Sequence, residues 1–141
     1  MNYDDFLKIP RECPFCVRKN NEVIEEDDLS YITYALAPYH EDHLLVIPKR
    51  HIEKILDVKD NEEDSIYKHI RKATKILHKL GYKDISILVR DGDDSMKSIS
   101  HLHYNIIPDT RLGDIDHQGK KRVVLSEKEV EALYKRLKNA S

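Results

Sequence analysis

The stretch His101-Leu102-His103-Tyr104-Asn105-Ile106-Ile107-Pro108 decides the reading of this chain. In an extended strand successive side chains point to opposite faces. His101, His103 and Asn105 therefore share one face of a strand over 101–107, and Leu102, Tyr104 and Ile106 share the other. The second face is apolar enough to cover a core. The first sets two imidazoles and an amide side by side on a rigid element, an arrangement suited to holding a metal, a phosphate, or both.

Working outward, the pattern on either side is mixed. Residues 22–27 and 30–36 read as two strands around Asp27-Asp28, the second rich in β-branched and aromatic residues. Leu44-Leu45-Val46-Ile47 is a short apolar run ending at Pro48, as a buried strand would. In 61–80, Ile66, Ile70, Ala73, Leu77 and Leu80 step by four and three, which makes one apolar stripe on a helix. Gly81 ends it, and a strand over 84–89 follows. Its neighbour is a polar loop, Asp91-Gly92-Asp93-Asp94-Ser95. Beyond 109–122, a polar irregular connector, Ser126-Glu127-Lys128-Glu129 is a capping box that opens a helix over 126–139. The expected fold class is α+β: an antiparallel sheet of about five strands with one long helix packed on it and a C-terminal helix. The expected organisation is one domain, 1–141, with a core over 13–108 and a C-terminal extension, 109–141.

Composition narrows the function classes. The chain has 141 residues, 35% of them charged, and a formal net charge of −2. That balance gives no pull toward nucleic acid or an anionic membrane. Lys120-Lys121-Arg122 is a short solvated patch, and His69 and His78 are expected on the exposed side of the long helix. No apolar run approaches the length of a membrane span. The first residues lack the basic and apolar regions of a secretion signal, so the expected location is the cytoplasm.

The two cysteines form Cys13-Pro14-Phe15-Cys16. CxxC spacing suits half of a metal site, a redox pair, or an incidental pair. Zinc favours tetrahedral sulfur and nitrogen donors. His51 lies at the end of strand 44–48 and His101 at the start of strand 101–107. If those strands are antiparallel neighbours, Cys13, Cys16, His51 and His101 can converge on one metal; the alternatives are an exposed His51 and a thiolate pair completed by other ligands.

The histidine strand also suits nucleophilic catalysis. A neutral imidazole attacks phosphorus well, provided one nitrogen is held by a hydrogen bond and the other carries the lone pair. Ser98, Ser100 and the backbone amides before His101 are candidate donors to phosphate oxygens.

These residues carry a resemblance. His101-Leu102-His103-Tyr104-Asn105-Ile106-Ile107 resembles the histidine triad (HIT) signature, in which three histidines alternate with hydrophobic residues. Asp42-His43-Leu44-Leu45-Val46-Ile47-Pro48-Lys49-Arg50-His51-Ile52 resembles the family's Gly-His-x-Leu-Val-Ile-Pro-Lys-x-His-Ile segment. Cys13-Pro14-Phe15-Cys16 resembles the CxxC of its zinc-containing members. The resemblance implies a HIT-like fold, commonly a homodimer, that hydrolyses or transfers nucleotidyl groups at an α-phosphorus, with a purine nucleotide as expected substrate. It implies His103 as nucleophile, Ser98 and His43 at the phosphate site, and a structural zinc on Cys13, Cys16, His51 and His101. Lys97 adds a charge that can serve phosphate.

The chain departs from the signature in four places. Asn105 stands at the third triad position; an amide can donate to phosphate but carries no proton that titrates near neutrality. This is similar to the galactose-1-phosphate uridylyltransferase and adenylyltransferase branch, which has an amide there. Met96 replaces a glycine, Ala35 stands where hydrolases place an Asp, and Asp42 replaces the Gly of Gly-His. Two readings follow: a hydrolase or nucleotidyltransferase working through a nucleotidyl-His103 intermediate, or a catalytically weak nucleotide-binding module with a structural zinc.

Overall fold

The computed structural model describes residues 1–9, 12–92, 99–110 and 122–141. The connector residues 111–121, and Asp93 to Ser98 before the histidine strand, lie outside the described residues. Two compact units are described separately, 1–110 and 111–141.

The first unit is a five-stranded antiparallel sheet with one long helix on it. After a short helix, α1 (Tyr3–Leu7), come β1 (Glu25–Glu26), β2 (Ser30–Tyr34), β3 (Leu44–Pro48), α2 (Asp60–Lys79), β4 (Ile85–Val89) and β5 (Tyr104–Pro108). The strand order is β1-β2-β3-β5-β4, and every pairing is antiparallel. The α+β class with about five strands holds.

Period-two alternation splits the sheet cleanly. Ile32, Leu44, Val46 and Ile106 face α2 and bury against Ile66, Ile70, Ala73 and Leu77. Tyr31, Leu45 and Ile47 face the other way, with Phe15, Val23 and Ala35 packed on them. The helix keeps its stripe because those four apolar positions recur every three or four residues. It stops where Gly81 takes φ 101°. The Gly81 N–H then donates to His78 O and the Tyr82 N–H to Leu77 O, closing a Schellman turn.

Three expectations need correction. The strand expected over 22–27 is paired only at Glu25–Glu26, because charged, exposed residues there give the sheet little to bury. The last strand begins at Tyr104, not at 101. The Leu102 N–H donates to Ile52 O at 2.7 Å and the His101 ring bonds Pro48 O. Residues 101 and 102 are thereby held by the last residue of β3 and the chain that follows it rather than by the ladder. Finally, His69 is not exposed but 2% accessible; His78 is exposed as expected.

The second unit contains α3 (Glu127–Ala140). Its capping box forms as read: Ser126 Oγ accepts from the Glu129 N–H, and Glu129 Oε2 accepts from the Ser126 N–H.

Candidate metal centre and nucleotide site

The CxxC loop is a tight turn: the amides of Cys16 and Val17 both donate to Cys13 O at 3.2 Å. It is fastened to the sheet face opposite α2. Phe15 packs on that face, and its carbonyl accepts from Tyr31 Oη at 2.8 Å and from Arg18 Nη1 at 3.3 Å. The Arg18 guanidinium in turn lies 4.7 Å over the Tyr31 ring.

This fastening brings the four expected donors together. Cys13 Sγ is 3.3 Å from His101 Nδ1, Cys16 Sγ is 3.5 Å from the same nitrogen, and Cys16 Sγ is 3.3 Å from His51 Nδ1. All four donor atoms lie within 4.8 Å of one another. An S–N edge of a tetrahedral zinc site measures about 3.5 Å, given Zn–S near 2.3 Å and Zn–N near 2.0 Å.

The tautomers agree with that use. His101 Nε2 is 2.7 Å from Pro48 O. A carbonyl only accepts, so Nε2 carries the proton and Nδ1 presents its lone pair to the sulfurs. His51 Nε2 faces Glu53 Oε1 at 3.4 Å, which sets the same tautomer. Carbonyl and carboxylate partners behind metal-bound imidazoles are the expected support. Burial holds His101 down to about 4, against the pull of the Pro48 carbonyl, so the ring is neutral and able to ligate. Burial and the neighbouring Cys13 push the Cys16 thiol up to about 11; a divalent cation reverses that preference. The cluster is compatible with zinc.

Beside this centre stands His103. Its Nδ1 donates to the carbonyl of His101 at 2.8 Å, which places the lone pair on Nε2. Phe15 lies edge-on to both rings, with centroids 5.8 Å from His101 and 5.2 Å from His103. Sequence reading passed over Phe15 as a site residue; its place between the two cysteines was the available signal.

Asn105 and His43 form the next layer. The Tyr39 N–H donates to His43 Nδ1 at 3.3 Å, His43 Nε2 donates to Asn105 Oδ1 at 3.0 Å, and Asn105 Nδ2 donates to Leu88 O at 3.0 Å. Each link fixes the direction of the next. Tyr39 stacks on His43 at 5.7 Å. Burial lowers the His43 imidazole below its ordinary value, against the Asn105 bond, and the nearby His103 adds to the lowering. Asp42, which replaces a glycine, points away: its carboxylate accepts from Tyr82 Oη, a ring packed on the α2 side of the sheet. Ala35 sits against the Tyr31 cluster. Ser98 and Lys97, the expected phosphate contacts, lie outside the described residues.

The geometry defines an α+β domain with paired imidazoles on one sheet face, and the comparisons place it. The HIT domain model matches residues 18–112, and the chain belongs to the HIT family. It is 31% identical over 100 residues to an uncharacterized HIT-like protein of Methanocaldococcus jannaschii, a match spanning 68% of this chain and 78% of that one. It is 29% identical over 100 residues to the adenosine 5′-monophosphoramidase hnt1 of Schizosaccharomyces pombe, covering 68% and 73%. Among solved structures it resembles a HIT family member from Bacillus subtilis. The TM-score is 0.68 at 20% identity, with 92% of this chain and 96% of that one covered, a likeness of fold.

Proposed function

We propose that this protein is a nucleotide hydrolase or nucleotidyltransferase that works at an α-phosphorus through His103. The observation that carries the reading is the His103 Nδ1 bond to the His101 carbonyl. It gives Nε2 the lone pair an attack requires. That the family includes an adenosine phosphoramidase supports a nucleoside phosphoramidate as substrate, with a purine base.

In this reading Nε2 of His103 bonds to the α-phosphorus as the bond to the leaving group breaks; the leaving group departs with the electron pair, and an amine takes a proton from solvent as it leaves. Water or another acceptor then attacks phosphorus and gives up its proton to solvent, and the bond to Nε2 breaks. Ser98, Lys97 and the backbone amides before His101 are assigned to the phosphate oxygens. His43, held neutral as the Nε2–H tautomer, borders the site. Asn105 anchors His43 and has no titratable proton, so leaving groups that are already weakly basic should depart best.

Zinc on Cys13, Cys16, His51 and His101 is proposed as structural. When bound it supplies the charge that holds two thiolates and two imidazoles together, and four protein ligands leave no open position. The link to chemistry runs through the backbone, since the carbonyl of His101 is what orients His103.

A homodimer across the open edge strand β4 is proposed as well, supported by Ile87, 53% exposed in that strand. No helix among the described residues is long and apolar enough to cross a membrane, and a cytoplasmic location is part of the proposal.

The test is His103→Asn assayed with an adenosine phosphoramidate and a dinucleoside polyphosphate, with intact mass spectrometry of the wild type after brief mixing. An adduct of nucleotidyl mass on the wild type only is the expected result. Unchanged turnover in the variant rejects His103 as nucleophile. A second reading, a binding module with little catalysis, is favoured by the commitment of Asn105 to His43 and Leu88. Calorimetric binding of AMP with no product from either substrate would select it.

A further inference from the structure

On the α2 side of the sheet, away from the cysteines, four polar side chains form a line. Asp27 accepts from Ser65 Oγ at 2.8 and 2.9 Å. Ser65 Oγ and Ser30 Oγ are 2.5 Å apart, and Ser30 Oγ is 2.6 Å from His69 Nδ1. Ser30, Ser65 and His69 are buried.

The proton positions follow from counting. Ser65 has one hydroxyl proton and gives it to the Asp27 carboxylate. Two oxygens at 2.5 Å need a proton between them, so Ser30 donates to Ser65. Ser30 then has only lone pairs for His69, and His69 Nδ1 must be the donor. The chain therefore runs from the imidazole to the carboxylate and leaves the His69 lone pair on Nε2. That nitrogen has no hydrogen-bond partner among the described residues, although the ring is 2% accessible. A buried polar atom without a partner calls for a ligand or water.

His69 lines a cavity of about 330 Å³ between α2 and β1, walled by the basic residues Lys68, Arg71, Lys72 and Lys75. Glu25 and Glu26 complete the wall. Lys68 is engaged by Asp27 at 2.7 Å and Glu26 by Lys49 at 3.4 Å. Arg71, Lys72 and Lys75 face one remaining carboxylate, Glu25.

We propose that this cavity is a second anion site, which takes a phosphate-bearing anion on Arg71, Lys72 and Lys75 with a protonated phosphate oxygen donating to His69 Nε2. The lone pair selects among anions. Inorganic phosphate keeps an O–H throughout the neutral range, and its monoesters keep one below their second pKa, near 6; sulfate carries none and would meet lone pair with lone pair. Burial keeps the imidazole below its ordinary value, against the pull of Asp27 and Glu25 and with the push of Lys68 and Lys49, so the neutral ring is the form presented. The site shares no residue with the nucleotide site, and it stands or falls independently of that reading.

The experiment follows the His69 ring nitrogens by NMR, assigned with His69→Gln. Inorganic phosphate, ribose 5-phosphate and sulfate are each added at about pH 6, where the ester keeps a protonated fraction, to about 10 mM at matched ionic strength, a range that reaches millimolar affinity. Phosphate or its ester should move Nε2 and saturate, and sulfate should not. A larger response to one of the first two names the source. The exposed double variant Lys72→Ser, Lys75→Ser should weaken binding about tenfold, with nucleotide turnover unchanged and the His103→Asn titration unaltered. Equal response to sulfate, no response to either phosphate compound, or full affinity in the double variant overturns the proposal.

Discussion

Two histidines of this protein, His103 just before β5 and His69 on α2, are held in the same tautomer by different means. His103 donates Nδ1–H to a backbone carbonyl, that of His101. His69 donates Nδ1–H to a hydroxyl relay that ends on the Asp27 carboxylate. A backbone acceptor is neutral and is fixed by the fold, so it orients the ring without following pH. A relay that ends on a carboxylate depends on a titratable group and on every hydroxyl in between. One arrangement suits a nucleophile that must be aimed; the other suits a pocket whose preference rests on a lone pair.

The strongest way to break the comparison is His103→Asn. Loss of the proposed attacking nitrogen should lower turnover by roughly 10³-fold or more, measured with an adenosine phosphoramidate, while His69→Gln leaves turnover near wild type.

Metal removal tests the backbone support of His103. Cys16→Ser should abolish tight zinc retention and lower Tm. It should also lower turnover by about 10- to 100-fold, because the carbonyl that orients His103 belongs to His101, one of the four proposed ligands. Metal analysis and a thermal scan check it. Wild-type turnover in the zinc-free variant would cut the link between the centre and His103.

The relay is tested by Ser65→Ala. It leaves the buried Ser30 hydroxyl without its acceptor, at a cost of about 1–3 kcal/mol in stability, read by urea denaturation. The His69 nitrogen resonances should change in the same variant, and those of His103 should not.

The smallest effect is pH dependence. Against burial, which pulls its carboxyl up, Lys68, the Leu29 and Ser30 amides and the Ser65 hydroxyl hold Asp27 well below the usual carboxylate range. A carboxyl depressed in the folded state adds stability above its unfolded value, near 4, and loses it as pH falls toward the folded one. Asp27→Asn should therefore be less stable than wild type at neutral pH, and the gap should narrow on acidification. A constant gap from pH 7 to acid would exclude the link.

Much of the fold was legible because period and punctuation survive in one dimension. The α2 stripe, Gly81 at its end, the Ser126 capping box and the apolar run closed by Pro48 all act over a few residues. The clustering of Cys13, Cys16, His51 and His101 was legible for a related reason: on antiparallel neighbours the end of one strand lies beside the start of the other. The start of β5 was not, because residues 101 and 102 are held by Pro48 and Ile52, about a third of the chain away. His69 was misread because the stripe was drawn from apolar residues alone. Ser65 and His69, four apart beside Ile66 and Ile70, share that buried side through a polar partner, Ser30, contributed by the sheet.

The sequence by itself determined the class of fold, and it named Cys13, Cys16, His51 and His101 as a candidate donor set that the structure brings together. Only the tertiary structure decided which nitrogen of each imidazole carries the proton. That choice belongs to the partner atom within hydrogen-bond reach, whether Pro48 O, His101 O, Asn105 Oδ1 or Ser30 Oγ. No spacing along the chain records which acceptor the fold will place there.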